Sequence, residues 1–320
     1  MSPGAVAIRP RGHRSWDSSD RANHATLSEM PRPGEVPYTE IAPPVDLAPY
    51  VDRLWLRTSA GSAGRIHRVL PDGCVDIIVD AGLSAARIVG TMTRAIEVPD
   101  GPSQMIAVRF RPGTATAVIG APLAELTDRV TDLADIGVAG DLVGRVCDPV
   151  AGAADAAATS LDAPRAPMSA ELTRERQGPL PARIPIAAAD HARVVALVVW
   201  LRARLAEAAP PDAMIARAVA QLSTGETRID DVAARLGVTR QHLARSFRRE
   251  VGISPKQLAR IARMQRAAAA LRRGGDLAML AAELGYFDQS HLSHELRDLV
   301  GLTPAAVAAE QPIALSHLFR

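Results

Sequence analysis

The segment Asp231-Val-Ala-Ala-Arg-Leu-Gly237 occurs again, 48 residues later, as Met279-Leu-Ala-Ala-Glu-Leu-Gly285. An internal repeat constrains the architecture strongly, because each copy must build the same supersecondary unit. In both copies, small alanines permit close helix crossing, and a final glycine can adopt the positive φ at which a helix ends. Each copy is therefore predicted to form a helix, a tight turn and a second helix.

The correspondence continues beyond the turn. His242-Leu243 matches His291-Leu292, and Gly252-Ile-Ser-Pro255 matches Gly301-Leu-Thr-Pro304. The offset between the copies grows from 48 to 49 residues, so the second turn contains one extra residue.

The second helix of the first copy, at about 239 to 250, has two faces at helical period. Thr239 is its predicted N-cap, as Asp288 is for the second copy, because their side-chain oxygens can accept a hydrogen bond from the first turn. Leu243 and Phe247 share one face and can close a small core. The opposite face carries Gln241, Ala244, Arg245 and Arg248. Arg and Gln here can make bidentate contacts to guanine or adenine in a major groove; a solvated amphipathic face is the alternative.

Basic residues are concentrated around this helix. Between Arg235 and Arg273 there are eleven Arg or Lys and a single acid, Glu250, whereas the whole chain has a net charge of +2. This distribution is typical of a protein that binds a polyanion. A further helix is predicted to begin with Ser254 as N-cap and Pro255 as its first residue. It carries four cations at helical spacing: Lys256, Arg260, Arg263 and Arg266. They are expected to face phosphate or, alternatively, to form a solvated stripe.

Residues from about 210 to 308 resemble the DNA-binding domain of AraC/XylS-type transcription regulators, with two helix-turn-helix units, a connecting helix and Gly-x-Ser/Thr-Pro after each unit. The resemblance implies base contacts from the first recognition helix at Gln241 and Arg245. The family commonly has an aromatic residue followed by basic residues where this chain has Leu296-Arg297-Asp298, and Glu295 adds an acid expected near the DNA. The second unit is therefore expected to bind DNA more loosely.

The predicted DNA-contact set combines the resemblance with the exposed polar positions. It consists of Thr239, Arg240, Gln241, Arg245, Arg248, Lys256, Gln289, Ser290, His291 and His294. His291 and His294 could also share a helix face as metal ligands do, but no suitable third ligand is close in sequence. Core packing of His291 and DNA contact by His294 are expected instead, with no metal and no cofactor.

From about 36 to 150 the sequence changes to short β-like runs. Residues 65–70, Pro71-Asp-Gly73 and 74–79 are predicted to form strand, turn and strand. Two more strands are predicted at 86–90 and 104–110, before helices near 113–126. The fold class is therefore α+β. A mixed β-rich sensor domain, open or closed into a small barrel, precedes an all-α domain with two helix-turn-helix units.

Three segments of this region resemble N-terminal domains of uncharacterised function found on some AraC-type regulators. They are 65–78, Gly90-Thr-Met-Thr-Arg94 and Val108-Arg-Phe-Arg-Pro-Gly113. Strand alternation places Cys74 and Asp76 on one face of the second strand. If the polar faces meet inside the domain, an effector pocket is predicted. Its residues are His67, Cys74, Asp76 and Arg109. A structural salt bridge between Asp76 and Arg109 is the alternative.

The remaining segments complete the predicted organisation. Residues 1–35 lack periodicity and an apolar signal stretch and are expected to be a disordered tail. Residues 151–189 are predicted to be a Pro-rich linker, 190–209 a connecting or dimerisation helix, and 309–320 a C-terminal tail. No run approaches the roughly 20 apolar residues of a membrane span, so no membrane partner is expected. Cys74 and Cys147 indicate reduced thiols in the cytoplasm, with a regulatory disulfide as the alternative.

Together these patterns predict a one-component, non-enzymatic transcription regulator that binds double-stranded promoter DNA and responds to a small-molecule effector. RNA polymerase and a second copy of the chain are the further partners considered. One alternative is a DNA-binding module without an effector, whose first domain dimerises or docks a partner. Another is a DNA-repair alkyl-transfer protein, although the cluster of metal-binding cysteines that it requires is missing.

Overall fold

The computed structural model describes residues 38–61, 66–148, 187–224 and 228–309. The predicted tail at 1–35, nearly all of the predicted linker at 151–189 and nearly all of the C-terminal tail at 309–320 lie outside these residues. No helix in the described ranges is long and apolar enough to cross a membrane.

Eight strands lie in the first part of the chain, counted over the residues that the structure describes. They are β1 (Tyr38–Ile41), β2 (Val51–Ala60), β3 (Ile66–Val69), β4 (Val75–Asp80), β5 (Ala85–Val89), β6 (Ile96–Pro99), β7 (Pro102–Phe110) and β8 (Val130–Asp132). Six of them form one antiparallel sheet in the order β1-β2-β7-β4-β5-β8, and β3 pairs only with β6 in a separate two-stranded sheet. Within the described residues the six-stranded sheet is open, with β1 and β8 at its edges. The α+β class is confirmed.

Ten α-helices follow or interrupt the strands. They are α1 (Thr116–Ile119), α2 (Leu142–Cys147), α3 (Ala188–Leu205), α4 (Ala213–Ser223), α5 (Ile229–Arg235), α6 (Arg240–Glu250), α7 (Pro255–Arg272), α8 (Leu277–Glu283), α9 (Gln289–Val300) and α10 (Pro304–Ala309), among the residues that the structure describes. A short 3₁₀ helix lies at Leu123–Glu125.

The pairing of the strand at 66–69 corrects the predicted hairpin. β3 does not pair with β4 across Pro71-Asp-Gly73; β4 pairs with β5 and β7 instead. The connecting segment leaves one sheet for the other because it packs on α7. The side chain of Leu70 enters the helical core, and Gln265 Nε2 donates a hydrogen bond to the Pro71 carbonyl at 2.7 Å.

Alternation along the strands separates the two faces of the large sheet. Val75, Ile77 and Val79 of β4 point into a hydrophobic core, whereas Asp76 and Ile78 point to the other face. Helix α3 packs into that core through Val194, Leu197, Val198, Trp200 and Leu201, all of which are buried. The apolar face of the predicted connecting helix is therefore covered by the β-rich part, where α1 and α2 are its neighbours.

Helix α7 lies at the centre of the C-terminal part. Leu258 and Ile261 in its first half join the core of α4, α5 and α6, whereas Met264 and Ala267 in its second half join the core of α8 and α9. One rigid helix therefore connects the two copies of the repeat, as the sequence predicts.

The predicted helix boundaries are confirmed by their capping bonds. Thr239 Oγ1 accepts a hydrogen bond from His242 N, and Asp288 accepts one from His291 N at 2.7 Å. Ser254 and Gln257 exchange the reciprocal bonds of a capping box at the start of α7.

Two threonine hydroxyl groups of the β-rich part donate to main-chain carbonyls at the C-terminal end of α6. Thr91 Oγ1 donates to the Val251 carbonyl at 2.6 Å, and Thr127 Oγ1 donates to the Gly252 carbonyl at 2.7 Å. Helix ends leave carbonyls without intrahelical donors, so these bonds satisfy groups that the helix cannot satisfy itself. The end of α9 is held similarly, because Ala95 N donates to the Leu299 carbonyl at 2.7 Å.

Candidate nucleic-acid interface

Helix α6 presents the polar face predicted for it. Leu243 and Phe247 are fully buried, whereas Gln241, Arg245 and Arg248 are exposed. The exposed face is held in place by its buried one, since Phe247 packs in the core shared with α7. Of the other predicted contacts nearby, Thr239, Arg240 and Lys256 are also exposed.

An open groove of about 590 Å³ lies between the two helix pairs. Its walls come from the start of α5, the start of α6, one face of α7 and the end of α8. The groove is lined by five cationic residues, Arg228, Arg240, Lys256, Arg260 and Arg263, and by two acids, Asp230 and Glu283. Arg240 pairs with Asp230 at 3.3 Å. The two cations that suit a polyanion lying across α7 are therefore Arg228 and Lys256.

The expectation that Arg260 and Arg263 form part of a free cationic stripe is wrong. Arg260 Nε donates to Glu295 at 3.0 Å, and Arg263 donates to both oxygens of the same carboxylate at 3.1 to 3.2 Å. Burial alone would lower the pKa of Arg260, but hydrogen bonds to Asp298 and Glu295 raise it. These two cations are therefore committed to holding α7 against α9.

Glu295 corrects a second expectation. It is not an acid beside the DNA, because its side chain is only 4% exposed and faces α7. Tyr286 OH also donates to it at 3.1 Å. Burial, together with the negative charge of Glu295, raises the pKa of Tyr286. With two guanidinium groups on it, the carboxylate does not oppose DNA at the exposed face of α9.

The predicted contacts of the second copy lie together at the start of α9. Gln289, Ser290, His291 and His294 are all exposed. The expected core packing of His291 is wrong: Nδ1 of its ring accepts the backbone N–H of Phe287 at 3.3 Å, and the ring lies edge-on to Tyr286. No group of three or more metal-ligating side chains occurs among the described residues.

One exposed side chain at this site was missed by sequence reasoning. Phe287 stands directly before the N-cap of α9 and is 92% exposed. The longer second turn could have predicted this exposed side chain. Tyr286 fills the core position of that turn, so the added residue, Phe287, cannot also be buried in the core.

A separate cavity of about 260 Å³ lies in the β-rich part, between the outer face of the large sheet and the two-stranded β3–β6 sheet. Of the predicted effector-pocket residues, Asp76 and Arg109 line it, whereas His67 and Cys74 do not. The other walls are mostly apolar. They include Tyr38, Trp55, Val69, Ile78, Val89, Met92, Ile96, Val98 and Met105.

Asp76 and Arg109 are partners across β4 and β7. Arg109 donates to both oxygens of Asp76, at 3.2 and 3.3 Å, and Trp55 Nε1 donates to the same carboxylate at 3.2 Å. Burial alone would lower the pKa of Arg109, but Asp76 and Asp72 raise it. The pair is thus neutralised within the protein, which favours a structural role at one end of the cavity.

His67 belongs to another buried cluster, which attaches the two-stranded β3–β6 sheet to the large sheet. Asp100 accepts a hydrogen bond from Arg57 at 2.5 Å and one from Ser59 at 2.9 Å, and His67 Nε2 lies 3.3 Å from the same oxygen. Burial by itself raises the pKa of Asp100, but the hydrogen bond from Ser59, the nearby His67 and the charge of Arg57 outweigh it and hold the pKa below its usual value.

Both cysteines are free thiols. Cys74 is buried, and this burial, with Asp72 nearby, raises the pKa of its thiol well above the usual value. Since the thiolate is the nucleophilic form, Cys74 is poorly suited to group transfer.

Comparisons with known proteins give a family-model match in each of the two parts of the chain. Residues 232–310 match the model of a helix-turn-helix domain, and residues 39–132 match a domain of unknown function (DUF6597). The chain is similar to the C-terminal domain of AraT, a response regulator from Geobacillus stearothermophilus, with 25% identity over 32% of this chain and 89% of that one and a TM-score of 0.30. It is also similar to ToxT from Vibrio cholerae O395, with 11% identity over 86% of this chain and 96% of that one and a TM-score of 0.34. No curated protein matches it.

Proposed function

We propose that this chain, which carries an AraC-type helix-turn-helix domain after a β-rich domain, is a one-component transcription regulator that contacts promoter DNA with both helix pairs. The observation that carries the proposal is the placement of α6 and α9 on one helix, α7, with a basic groove between them. RNA polymerase and a second copy are proposed further partners, in the cytoplasm, and no catalysis is proposed.

The two exposed faces support this function by their chemistry. Gln241 and Arg245 on α6, and Gln289 on α9, are side chains that can recognise base edges in pairs of hydrogen bonds. Phosphate contacts position such helices without carrying sequence information, and Arg248 and Lys256 are exposed for that role. Successive major grooves on one side of a duplex are about 34 Å apart, so two helices on one connector suit adjacent grooves.

The experiment is selection of bound duplexes from a random library, followed by footprinting of the full chain on the winning sequence. One protomer should protect roughly two turns of DNA, because each helix pair covers one groove. A protected region of about half a turn would mean that one pair alone docks. If the selection gave no preferred DNA sequence, the proposal that the chain is a transcription regulator would be refuted.

We further propose that the β-rich domain senses a small, mainly apolar ligand in the 260 Å³ cavity. Its apolar walls support this ligand class, since ligand pockets combine such walls with a few polar groups. The two-stranded β3–β6 sheet forms one wall, and the segment after β3 contacts α7, so a ligand there touches elements that continue to the DNA-binding part.

A cavity-filling substitution tests the sensing role without breaking the Asp76–Arg109 pair. Met105→Trp should fill the space from β7 and abolish any ligand-induced rise in melting temperature, because only ligand bound to the native state stabilises it. A metabolite panel screened on the full chain supplies the ligand. If no compound shifts melting, or if Met105→Trp keeps the full shift, the β-rich domain dimerises or docks a partner instead.

A further inference from the structure

Phe287 contributes almost nothing to the fold. Its side chain is 92% exposed, whereas its neighbour Tyr286 is 5% exposed and fills the second core. In the first copy the equivalent core position is Val238, and the N-cap Thr239 follows it directly. Phe287 is therefore the residue added to the second turn. Single exposed apolar side chains are common on protein surfaces, so what bears on binding is the place of Phe287 beside the polar contact residues and not its exposure alone.

The backbone that carries Phe287 is fixed. Its N–H donates to Nδ1 of His291 at 3.3 Å, and the next residue, Asp288, caps α9 by accepting from His291 N at 2.7 Å. The His291 ring in turn lies edge-on to Tyr286, with ring centroids 5.3 Å apart. The backbone of Phe287 is consequently fixed just ahead of the first turn of α9, next to the exposed Gln289.

The position limits what the ring can meet. If the start of α9 enters a major groove, the neighbouring polar side chains can satisfy donors and acceptors on base edges, but a phenyl ring cannot. The apolar group available on base pairs in that groove is the C5-methyl of thymine. We propose that Phe287 is a specificity-determining residue that packs on a thymine methyl in the half of the operator bound by α9. This inference rests on the proposed function.

Deoxyuridine tests the contact, because it removes the methyl group and leaves the base pair intact. Each thymine in the protected duplex is replaced singly, and the Kd of the full chain and of Phe287→Ala is measured for every duplex. At one position within the α9 half, the replacement should weaken wild-type binding about fourfold, the factor expected from one buried methyl group. The Phe287→Ala chain should bind the thymine and uracil duplexes equally there.

Met279→Ala is the matched control. Met279 is also an exposed apolar side chain, 63% accessible, but it lies on α8. This variant should retain the fourfold preference for thymine. Phe287→Leu, which keeps an apolar side chain, should retain part of it.

Either of two DNA-binding results would overturn the inference while leaving the regulator intact. One is a normal footprint in which no thymine-to-uracil change separates wild type from Phe287→Ala. The other is equal weakening of all duplexes by Phe287→Ala, which would indicate a backbone contact. A change in transcription with unchanged DNA binding would assign the ring to a protein partner and overturn it too. Loss of every footprint in the wild-type chain would instead refute the proposed function itself.

Discussion

Arg245 and Arg248 are three residues apart on α6, and both are exposed. Their places along the helix nevertheless suit different DNA contacts, a base contact for Arg245 and a phosphate contact for Arg248. Arg245 lies one helical turn beyond Gln241, nearer the N-terminal half that enters a groove. Arg248 lies in the last turn. We therefore expect the first to select sequence and the second to add sequence-independent attraction.

Alanine variants separate these two roles. Arg245→Ala should cost about 1–3 kcal/mol on the selected operator and relax the preference at one base position, because a bidentate base contact is lost. Arg248→Ala should weaken all duplexes similarly and flatten the salt dependence. His294→Ala should lose less than Arg245→Ala, since an imidazole ring offers fewer donors than a guanidinium group. Titration against selected and scrambled duplexes at two salt concentrations measures all three. A larger loss of affinity for the selected operator in His294→Ala than in Arg245→Ala would mean that the second helix pair contributes more to sequence recognition than the first.

The buried Asp100 gives a prediction about acid stability. Its folded-state pKa lies below the ordinary 3.8, so its ionised form stabilises the fold at any pH well above that value and the contribution disappears as pH falls through the folded pKa. Asp100→Asn leaves Arg57 buried beside a neutral amide and should cost about 3–5 kcal/mol at pH 7. Urea unfolding at pH 7, 5 and 3 should show that the difference in unfolding free energy between wild type and Asp100→Asn becomes smaller only at pH 3. An equal gap at all three would assign the loss to packing.

Glu295 shows what sequence patterns reveal at this scale and what they do not. Helical periodicity places Leu243 and Phe247 inside and Arg245 outside, because each face of α6 has a single kind of neighbour. The same rule fails for Arg260 and Glu295, since a charged residue between two helices can be buried when its partner comes from the other helix. The sequence separation of 35 residues hides that pairing until the fold brings them together.

At the scale of elements, boundaries follow from local chemistry but pairings do not. The caps Thr239, Ser254 and Asp288 act within their own turns, so the starts of α6, α7 and α9 could be predicted. The partner of β3 could not, because Asp-Gly is a hairpin signal only if the strands on both sides face each other. Here the packing of Leu70 on α7 is favoured over a hairpin of β3 with β4.

The junction between α6 and the β-rich part gives an element-scale prediction. Thr91→Val keeps the shape of the side chain but removes the donor to the buried Val251 carbonyl, at a cost of about 1–3 kcal/mol. Hydrogen exchange should accelerate at the end of α6 and at the start of the following turn. Thr93→Val is the control, because its hydroxyl bonds to the exposed Asp128, and we expect a change within about 0.5 kcal/mol. Equal protection in both variants would mean that this junction does not restrain α6.

At the scale of the whole molecule, the division of the chain differs from what composition indicates. The Pro-rich stretch before residue 187 looks like a boundary, and a fragment of residues 36–150 looks like a complete sensor. However, α3 lies beyond that stretch and packs in the core of the sheet. The composition of a linker predicts an irregular segment. It does not predict whether the helix that follows packs on the domain that precedes the linker.

The fragment that folds alone should therefore extend past α3. A buried Val or Leu side chain contributes about 1.5–3 kcal/mol, so losing the five buried residues of α3 removes roughly 10 kcal/mol, which is comparable to the whole stability of a typical domain. Residues 36–208 should melt cooperatively, whereas residues 36–150 should bind a hydrophobic dye and show no transition. Within the longer fragment, Leu197→Ala should cost about 2–5 kcal/mol, while Arg204→Ala, near the end of the helix, should cost far less. Circular dichroism on the four proteins measures these effects. A cooperative transition in residues 36–150 at an unchanged temperature would show that α3 is dispensable for the β-rich core and free to pair with a second copy of the chain.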